Sequence, residues 1–319
     1  MQKDAAAVRD IVSNMLKHIV SNVERVIIGK REAIELSLCS FLCNGHVLIE
    51  DMPGVGKTSL VSAIAKSFDC SFRRIQFTPD ILPSDITGFS MYNQKTGEFE
   101  YRQGAIMAQI ILADEINRTS PKTQSSLLEA MEENQVTVDG KTYPLPQPFI
   151  VFATQNPIEY LGTYPLPEAQ LDRFFMKISL GYPTAAEERE MLERFQGANP
   201  LKALRPVTNA EALVAMQKLV SGVHVERSVN AYMVDIVRNT REDPDISLGA
   251  SPRATLCLYR AAQAWALYHE RDYVLPDDVI KMATPVLGHR LVLRQEAKFQ
   301  KISAPEIMHR IIAGTRVPR

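Results

Sequence analysis

The chain contains the segment DMPGVGKTSL, which follows the short apolar run HVLIE and precedes a helical pattern. A strand, a glycine-containing loop and a helix in this order form a phosphate-binding loop. Backbone N–H groups there surround the phosphate oxygens, Lys57 reaches the β- and γ-phosphates, and the Thr58 hydroxyl can ligate Mg²⁺. The segment therefore predicts an α/β domain that binds a nucleotide. The residues expected to contact it are Pro53, Gly54, Val55, Gly56, Lys57, Thr58 and Ser59.

The loop departs from the usual pattern at Asp51, where G-x-x-x-x-G-K-[ST] has its first glycine. Asp tolerates left-handed backbone conformations better than most residues, so the turn is still possible. A carboxylate facing the polyphosphate would be repelled. We therefore expect Asp51 to point away from the phosphates or to cap a backbone group, and expect Asp51→Gly to bind nucleotide equally well or more tightly.

Two further apolar runs end in polar residues that suit the same site. Residues 110–113 form a predicted buried strand that delivers Asp114 and Glu115 at its carboxyl end, where ligands of open α/β sheets bind. Asp114 would hold Mg²⁺ through water, and Glu115 would polarise the attacking water as general base. The run FIVFAT ends near Asn156, whose amide could orient the water or contact the γ-phosphate. Asn is also an ordinary turn residue, so that assignment stays open.

The pattern of apolar residues divides the chain in two. Up to about Pro183, short apolar runs alternate with helical stretches, which predicts a parallel sheet covered by helices on both faces. Beyond Pro183 the strand signals nearly vanish, and a T-x-x-E capping box at Thr184 opens a helical region. We predict a core domain in residues 1–183, with N-terminal helices, and a helical domain in residues 184–319. Two alternating segments, about 85–102 and around Asp139-Gly140, predict β-hairpins projecting from the core.

Composition limits the classes of partner. The 36 basic and 37 acidic residues give a formal charge of −1, which offers no general attraction to nucleic acid or to an anionic membrane. No run reaches the ~18–20 apolar residues that cross a bilayer, and the N-terminus lacks the apolar stretch of a secretory signal. The four cysteines have no paired CxxC spacing, and the six histidines form no H-x-x-x-H pair. We expect a cytoplasmic protein without a transmembrane segment.

Five motifs carry a family resemblance: PGVGKT, ILADEINR, ATQNP, LPEAQLDRF and GASPRA, in this order. Together they resemble the MoxR family of AAA+ ATPases over most of the chain. The resemblance implies an α/β fold: an AAA+ P-loop αβα core with a parallel sheet and β-hairpin inserts, followed by a small all-helical lid domain. It also implies ATP and Mg²⁺ as cofactors, and a homo-oligomer, usually a hexameric ring, with ATP between subunits.

The resemblance also implies roles for individual residues. Walker A corresponds to Lys57 and Thr58, Walker B to Asp114 and Glu115, sensor 1 to Asn156, the arginine finger to Arg173, sensor 2 to Arg253, and the segment beside adenine to Ile28 and Gly29.

Physical reasoning bears on the arginines independently of the resemblance. Ser251 is a good N-cap and Pro252 a good first helical residue, so Arg253 lies in the first turn of a helix, where the dipole does not favour a cation. That position suggests an anionic partner such as a γ-phosphate, although a plain surface arginine is the alternative. For Arg173 the alternative is a salt bridge with Asp172 or Glu168. Arg118, just after Walker B, could also lie at a subunit interface.

Three functions are compatible with these features. The leading hypothesis is a chaperone-like ATPase whose motion remodels or activates a client, which the resemblance suggests is a von Willebrand factor A domain protein. The second is the ATPase motor subunit of a metal chelatase, which shares the hairpin inserts. The third, a nucleic-acid motor, is disfavoured by the charge balance and by the short basic run at Arg73-Arg74.

Overall fold

The computed structural model describes residues 2–156, 163–194 and 200–318. The strands are β1 Val47–Glu50, β2 Phe72–Gln76, β3 Gly88–Asn93, β4 Glu98–Gln103, β5 Ile110–Asp114, β6 Gln135–Val138, β7 Lys141–Pro144, β8 Ile150–Gln155, β9 Met176–Ile178, β10 Ile246–Leu248 and β11 Val292–Leu293. The helices are α1 Gln2–Glu24, α2 Arg31–Leu42, α3 Lys57–Ser67, α4 Pro83–Thr87, α5 Pro121–Glu133, α6 Glu168–Leu171, α7 Ala185–Arg194, α8 Pro200–Ala203, α9 Ala210–Val220, α10 Arg227–Glu242, α11 Pro252–Tyr268, α12 Pro276–Leu287, α13 Gln295–Phe299 and α14 Ala304–Gly314.

A parallel sheet of order β2-β5-β8-β1-β9 forms the centre of the core. Side chains alternate between its two faces, because successive residues of a strand point in opposite directions. Ile49 and Leu112 face the cluster that contains residues of α1, α2 and α3. Leu48 and Ile111 face the cluster formed with α4 and α5. The predicted αβα core with its parallel sheet is therefore confirmed.

The two edge strands were not predicted from the sequence. In β2 the central residues Arg73 and Arg74 are exposed, and β9 has only three residues, so neither shows a continuous apolar run. In contrast, β1, β5 and β8 occupy the middle of the sheet and are almost wholly buried. Only strands covered on both faces need the apolar run that sequence reading detects.

Both predicted hairpins are present. β3 pairs with β4 from Gly88 to Gln103, and β6 pairs with β7 around Asp139 and Gly140. Both of these turn residues have positive φ, 49° and 75°, as a type I′ turn requires. At the base of the first hairpin, Gly88 has φ 94°, and an added Cβ would lie 2.3 Å from the Arg102 carbonyl oxygen. That position therefore needs glycine.

The lid follows β9, and its described residues are mainly helical. They also contain the two-stranded β10–β11 ladder, which the sequence did not predict, and an isolated bridge between His224 and Tyr273. The capping box of the lid is confirmed: the Thr184 N–H donates to Glu187 Oε2 at 2.6 Å, and the Glu187 N–H donates to Thr184 Oγ1 at 3.3 Å. Helices α9 and α11 pack against α2, so the lid and one face of the sheet share a hydrophobic cluster. Across the described residues, no helix combines the length and apolarity that spanning a membrane requires.

Candidate functional site

The loop after β1 has the backbone of a phosphate-binding loop. Gly54 and Gly56 adopt left-handed conformations with φ 84° and 94°, which glycine reaches without steric cost. Helix α3 begins at Lys57, and its first intrahelical bond runs from the Leu60 N–H to the Gly56 carbonyl. The N–H groups of the residues between them therefore precede the helical ladder and point out of the helix start, where an anion binds.

Lys57 points back into its own loop. Its Nζ donates to the Asp51 carbonyl oxygen at 2.8 Å. Partial burial lowers the pKa of Lys57, and the negative charges of Asp114, Asp51 and Glu115 oppose that shift. The acidic pair after β5 therefore lies within electrostatic reach of the loop.

The Asp51 carboxylate faces away from the loop, as expected. It is buried and accepts hydrogen bonds from the Ser179 hydroxyl at 2.7 Å, the Leu180 N–H at 2.5 Å and the Gly181 N–H at 3.1 Å. These three residues form the connection that leaves β9 toward the lid. Asp51 therefore caps backbone groups, and it ties the phosphate-binding loop to the connection between core and lid.

Asp114 lies at the carboxyl end of β5 and is buried. Its Oδ1 accepts a hydrogen bond from Thr154 Oγ1 at 2.6 Å, and its Oδ2 accepts from Arg74 Nη2 at 2.6 Å and Nε at 3.0 Å. Carboxylate and hydroxyl oxygens are ligands that Mg²⁺ prefers, so Asp114 and Thr58 fit the predicted metal site.

Glu115 adopts a left-handed backbone with φ 59° and ψ 48°, which costs a non-glycine residue about 1–2 kcal/mol. The hydrogen bond from its N–H to Thr154 Oγ1, at 2.8 Å, helps to hold this conformation. Its Oε2 accepts from Gln76 Nε2 at 2.7 Å and lies 3.3 Å from Arg118 Nε. Strain of this kind at the end of a buried strand is typical of a functional position.

Asn156 directly follows β8 and is buried. The preceding residue, Gln155, is in register with Glu50, and its carbonyl accepts the Asp51 N–H at 3.3 Å. Asn156 therefore lies beside the start of the phosphate-binding loop. The structure brings Lys57, Thr58, Asp114, Glu115 and Asn156 to the carboxyl edge of the central strands.

The two predicted arginines lie near the amino ends of the strands, at the opposite end of the sheet from the phosphate-binding loop. Arg173 comes three residues before Met176, which is in register with Val47, the first residue of β1. The phosphate-binding loop instead follows Glu50, the last residue of that strand. Arg173 is therefore separated from its own loop by the length of the strand.

Arg253 lies beside Arg173, and both pair with Glu132 at the end of α5. Arg173 Nη2 is 3.1 Å from Glu132 Oε2, and Arg253 Nη1 is 3.3 Å from Glu132 Oε1. The predicted N-cap is present, because Ser251 Oγ accepts the Ala254 N–H at 3.2 Å. The sequence offered Asp172 or Glu168 as the salt-bridge partner of Arg173. In the structure the salt bridge is made with Glu132 instead. Within the chain, Arg253 likewise pairs with a carboxylate rather than facing the phosphate-binding loop.

A cavity of about 780 Å³ opens around this arginine pair, between the core and helices α9 and α11. His46 lines it and is bonded through both ring nitrogens, to the Met131 carbonyl at 3.0 Å and the Val151 N–H at 3.1 Å. Because Nδ1 accepts from an N–H, Nε2 carries the proton. Burial, with a further contribution from Arg253, lowers the pKa of His46 to about 4, although the Met131 bond opposes the shift.

The segment predicted to lie beside adenine is close to the start of the lid. Ile28 is buried, and Gly29 lines a cavity of about 400 Å³ shared by the core and the lid. The Glu187 side chain covers the Gly29 Cα so closely that an added Cβ would meet Glu187 Oε1 at 1.7 Å. This cavity also includes Ser179 and Leu180, the residues that bind Asp51.

Sequence reasoning missed several residues of the site. Thr154 is a polar residue inside an apolar strand, and that interruption was an available signal. Arg74 and Gln76 lie on the edge strand β2, which was not predicted. The sequence therefore offered no reason to expect these two residues beside the acidic pair. Glu132 is one of several acidic residues on α5, and only the tertiary structure distinguishes it.

Comparisons with known proteins agree with this geometry. The family model for ATPases associated with various cellular activities (AAA) matches residues 46–176, and that for the AAA lid domain matches residues 238–311. The chain is 54% identical to protein YeaC of Bacillus subtilis over 95% of both chains. It is 42% identical to chaperone MoxR1 of Mycobacterium tuberculosis, over 95% of this chain and 82% of MoxR1. A crystal structure of a Cytophaga hutchinsonii ATPase candidate superposes with TM-score 0.91 and 38% identity, covering 100% of this chain and 98% of that one.

Proposed function

Because this chain belongs to the MoxR family of AAA+ ATPases, we propose that it hydrolyses ATP in an oligomeric ring to remodel, mature or activate partner proteins. One observation carries the proposal: Lys57, Asp114, Glu115 and Asn156 converge on one edge of the sheet, beside a loop whose glycines leave the α3 N-terminus open to an anion. We also propose a cytoplasmic location, because the four cysteines have no paired CxxC spacing of a disulfide framework.

In this proposal each residue at the carboxyl edge has a defined task. Lys57 leaves the Asp51 carbonyl and binds the β- and γ-phosphates. Thr58 and Asp114 hold Mg²⁺, which neutralises charge on the transferred phosphoryl group when bound. Glu115 accepts a proton from the attacking water at a carboxylate oxygen, and Asn156 orients that water. Ile28 and Gly29 border the adenine.

The arginines act on a neighbouring subunit. Arg173 and Arg253 lie at the edge of the sheet opposite their own phosphate-binding loop, so a nucleotide they contact belongs to another copy. We propose a ring, with a hexamer as the state that the family implies. Removing Arg173 should lower turnover by about 10³–10⁵ without loss of ATP binding. Mixing Arg173→Ala with Lys57→Ala subunits should then restore part of the activity, because some interfaces pair an intact arginine with an intact loop.

The β3–β4 hairpin is the proposed client-contacting surface. Phe89 and Met91 are exposed on one of its faces, and Tyr92 and Phe99 on the other. Exposed apolar side chains on a projecting hairpin are typical of an interaction site. We propose that the client is a von Willebrand factor A domain protein. A chelatase motor is not favoured, because MoxR proteins are among the relatives that match this chain over most of its length.

The test is a pull-down with Glu115→Gln, which should bind ATP and hydrolyse it poorly and so retain its client. The control is Lys57→Ala under the same conditions, which should retain none. Recovery of a von Willebrand factor A protein only with Glu115→Gln and ATP supports the assignment. Equal recovery with both variants contradicts ATP-dependent client binding, and a chelatase subunit in place of that protein contradicts the chaperone assignment.

A further inference from the structure

The short segment that carries Arg173 is held by a buried arginine of the lid. Arg290 follows α12, and only 6% of it is exposed. Its Nη2 donates to the Phe174 carbonyl at 2.6 Å and to the Asp172 carbonyl at 3.3 Å. Its Nε lies 3.0 Å from Asp172 Oδ1. Arg290 therefore contacts the residue before Arg173 and the residue after it.

Other lid residues hold the same segment. His289 Nε2 donates to the Phe174 carbonyl at 3.1 Å, and burial keeps the pKa of His289 well below its usual value, so the ring is neutral. Ser251 Oγ lies 3.0 Å from each carboxylate oxygen of Asp172. Ser251 is also the N-cap of α11, the helix whose first turn carries Arg253. One carboxylate thus joins the Arg173 segment to the helix that carries the second arginine.

The chemistry of arginine makes this arrangement rigid. A guanidinium stays charged in proteins, so burying it requires hydrogen-bond acceptors on several sides. Arg290 finds them in two backbone carbonyls of the Arg173 segment and in the Val286 carbonyl of its own helix, to which Nη1 donates at 2.8 Å. The Asp172 carboxylate adds an opposite charge 3.0 Å from Nε. The planar arrangement of its donors fixes directions as well as distances.

We propose that Asp172 and Arg290 are positioning residues that set Arg173 and Arg253 as a pair for the nucleotide of the neighbouring subunit. This inference rests on the proposed function, in which both arginines act across the interface. Movement of the lid would then move both arginines together. The state of the lid in one subunit would thereby be transmitted to hydrolysis in the next.

The test uses Arg290→Lys and Asp172→Asn, which keep the size of each side chain while removing its planar donors or its charge. ATP affinity should match that of the unmodified protein, because the phosphate-binding loop is at the other edge of the sheet. Turnover should fall by about tenfold to a hundredfold, as expected for displaced catalytic groups. The control is Arg271→Lys, which alters a lid arginine paired with Asp278 at 2.6 Å and away from the Arg173 segment. Its turnover should be unchanged.

Subunit mixing separates a positioning role from a general loss of lid structure. Arg290→Lys mixed with Lys57→Ala should recover turnover, because Lys57→Ala still supplies well-placed arginines. Mixed with Arg173→Ala it should recover none, because neither partner supplies them. Failure of the first mixture, while Arg173→Ala with Lys57→Ala recovers, overturns the inference. If the reference mixture of Arg173→Ala with Lys57→Ala also fails, the error lies in the proposed function, in which Arg173 acts on the neighbouring subunit.

Discussion

At the scale of single residues, Asp51 shows how a departure from a motif can be resolved physically. Repulsion from phosphate predicted that its carboxylate would turn away, and the sequence alone was sufficient for that conclusion. The identity of its partners was not predictable, because Leu180 and Gly181 are about 130 residues away in a segment with no motif. The carbonyl of Asp51 and its carboxylate serve different groups, Lys57 and the connection to the lid.

We predict that Asp51→Gly retains nucleotide affinity but loses about 2–4 kcal/mol of unfolding free energy. The loop gains the glycine of the usual pattern, whereas the Leu180 and Gly181 N–H groups lose a charged acceptor. Calorimetric titration with ATP and urea unfolding measure the two effects. Asp51→Asn, which keeps one acceptor oxygen, should lose less stability. A large loss of affinity in Asp51→Gly would contradict the placement of Asp51 outside the phosphate contacts.

Glu115 provides the second prediction at this scale. Glu115→Gln should bind ATP with unchanged affinity and lose turnover by about 10²–10⁴, because an amide cannot accept the proton of the attacking water. Its backbone should keep the same left-handed conformation, since the Thr154 bond is made by the N–H and not by the side chain. Single-turnover hydrolysis measured beside equilibrium binding tests this. Wild-type turnover in the variant would remove Glu115 from the role of general base.

At the scale of elements, the sequence predicted the interior of the sheet and both hairpins, but neither edge strand. The hairpin around Asp139 and Gly140 was predictable because its turn chemistry is local. The contact between β2 and the acidic pair was not, because Arg74 reaches Asp114 across a strand pairing that no local pattern marks. The same limit applies to Glu132, which lies 41 positions from Arg173 along the chain.

His46 joins the start of β1 to α5 and β8, and it provides a pH-dependent prediction for these elements. Its pKa is lowered to about 4 in the folded protein, against about 6.5 when unfolded. Between these values the unfolded chain binds more protons, so the stability contributed by neutral His46 is complete above pH 6.5 and is lost as pH falls through 4. Acidification from pH 7 to 5 should cost roughly 2 kcal/mol through this residue.

The measurement is urea unfolding at pH 7 and pH 5, with His46→Gln as the comparison. The variant should be less stable at pH 7, since Gln cannot reproduce both ring contacts, to Met131 and Val151. It should lose less stability than the unmodified protein between the two pH values. Equal losses in both proteins would mean that His46 does not titrate in this way.

At the scale of the whole molecule, the groups proposed to act in catalysis are divided between the carboxyl and the amino ends of the strands of one sheet. Lys57 and Glu115 lie at the carboxyl edge, whereas Arg173 and Arg253 lie at the amino edge and are paired with Glu132. Sequence motifs pointed to each of these residues, but a motif does not indicate at which end of the sheet a residue lies. The division between edges follows from the parallel register of β1 and β9, which placed Arg173 beyond the start of the sheet.

This division predicts that hydrolysis depends on protein concentration whereas nucleotide binding does not. In the proposed function, a dissociated subunit keeps the groups that bind ATP but lacks the arginines of a neighbour, so turnover per subunit should fall on dilution by up to about 10³–10⁵. Turnover and the binding of a fluorescent ATP analogue should be measured across the same dilution series, with subunit association followed by light scattering. In Arg173→Ala the already low turnover should not fall further on dilution. A constant turnover through dissociation in the unmodified protein would show that one subunit contains a complete active site.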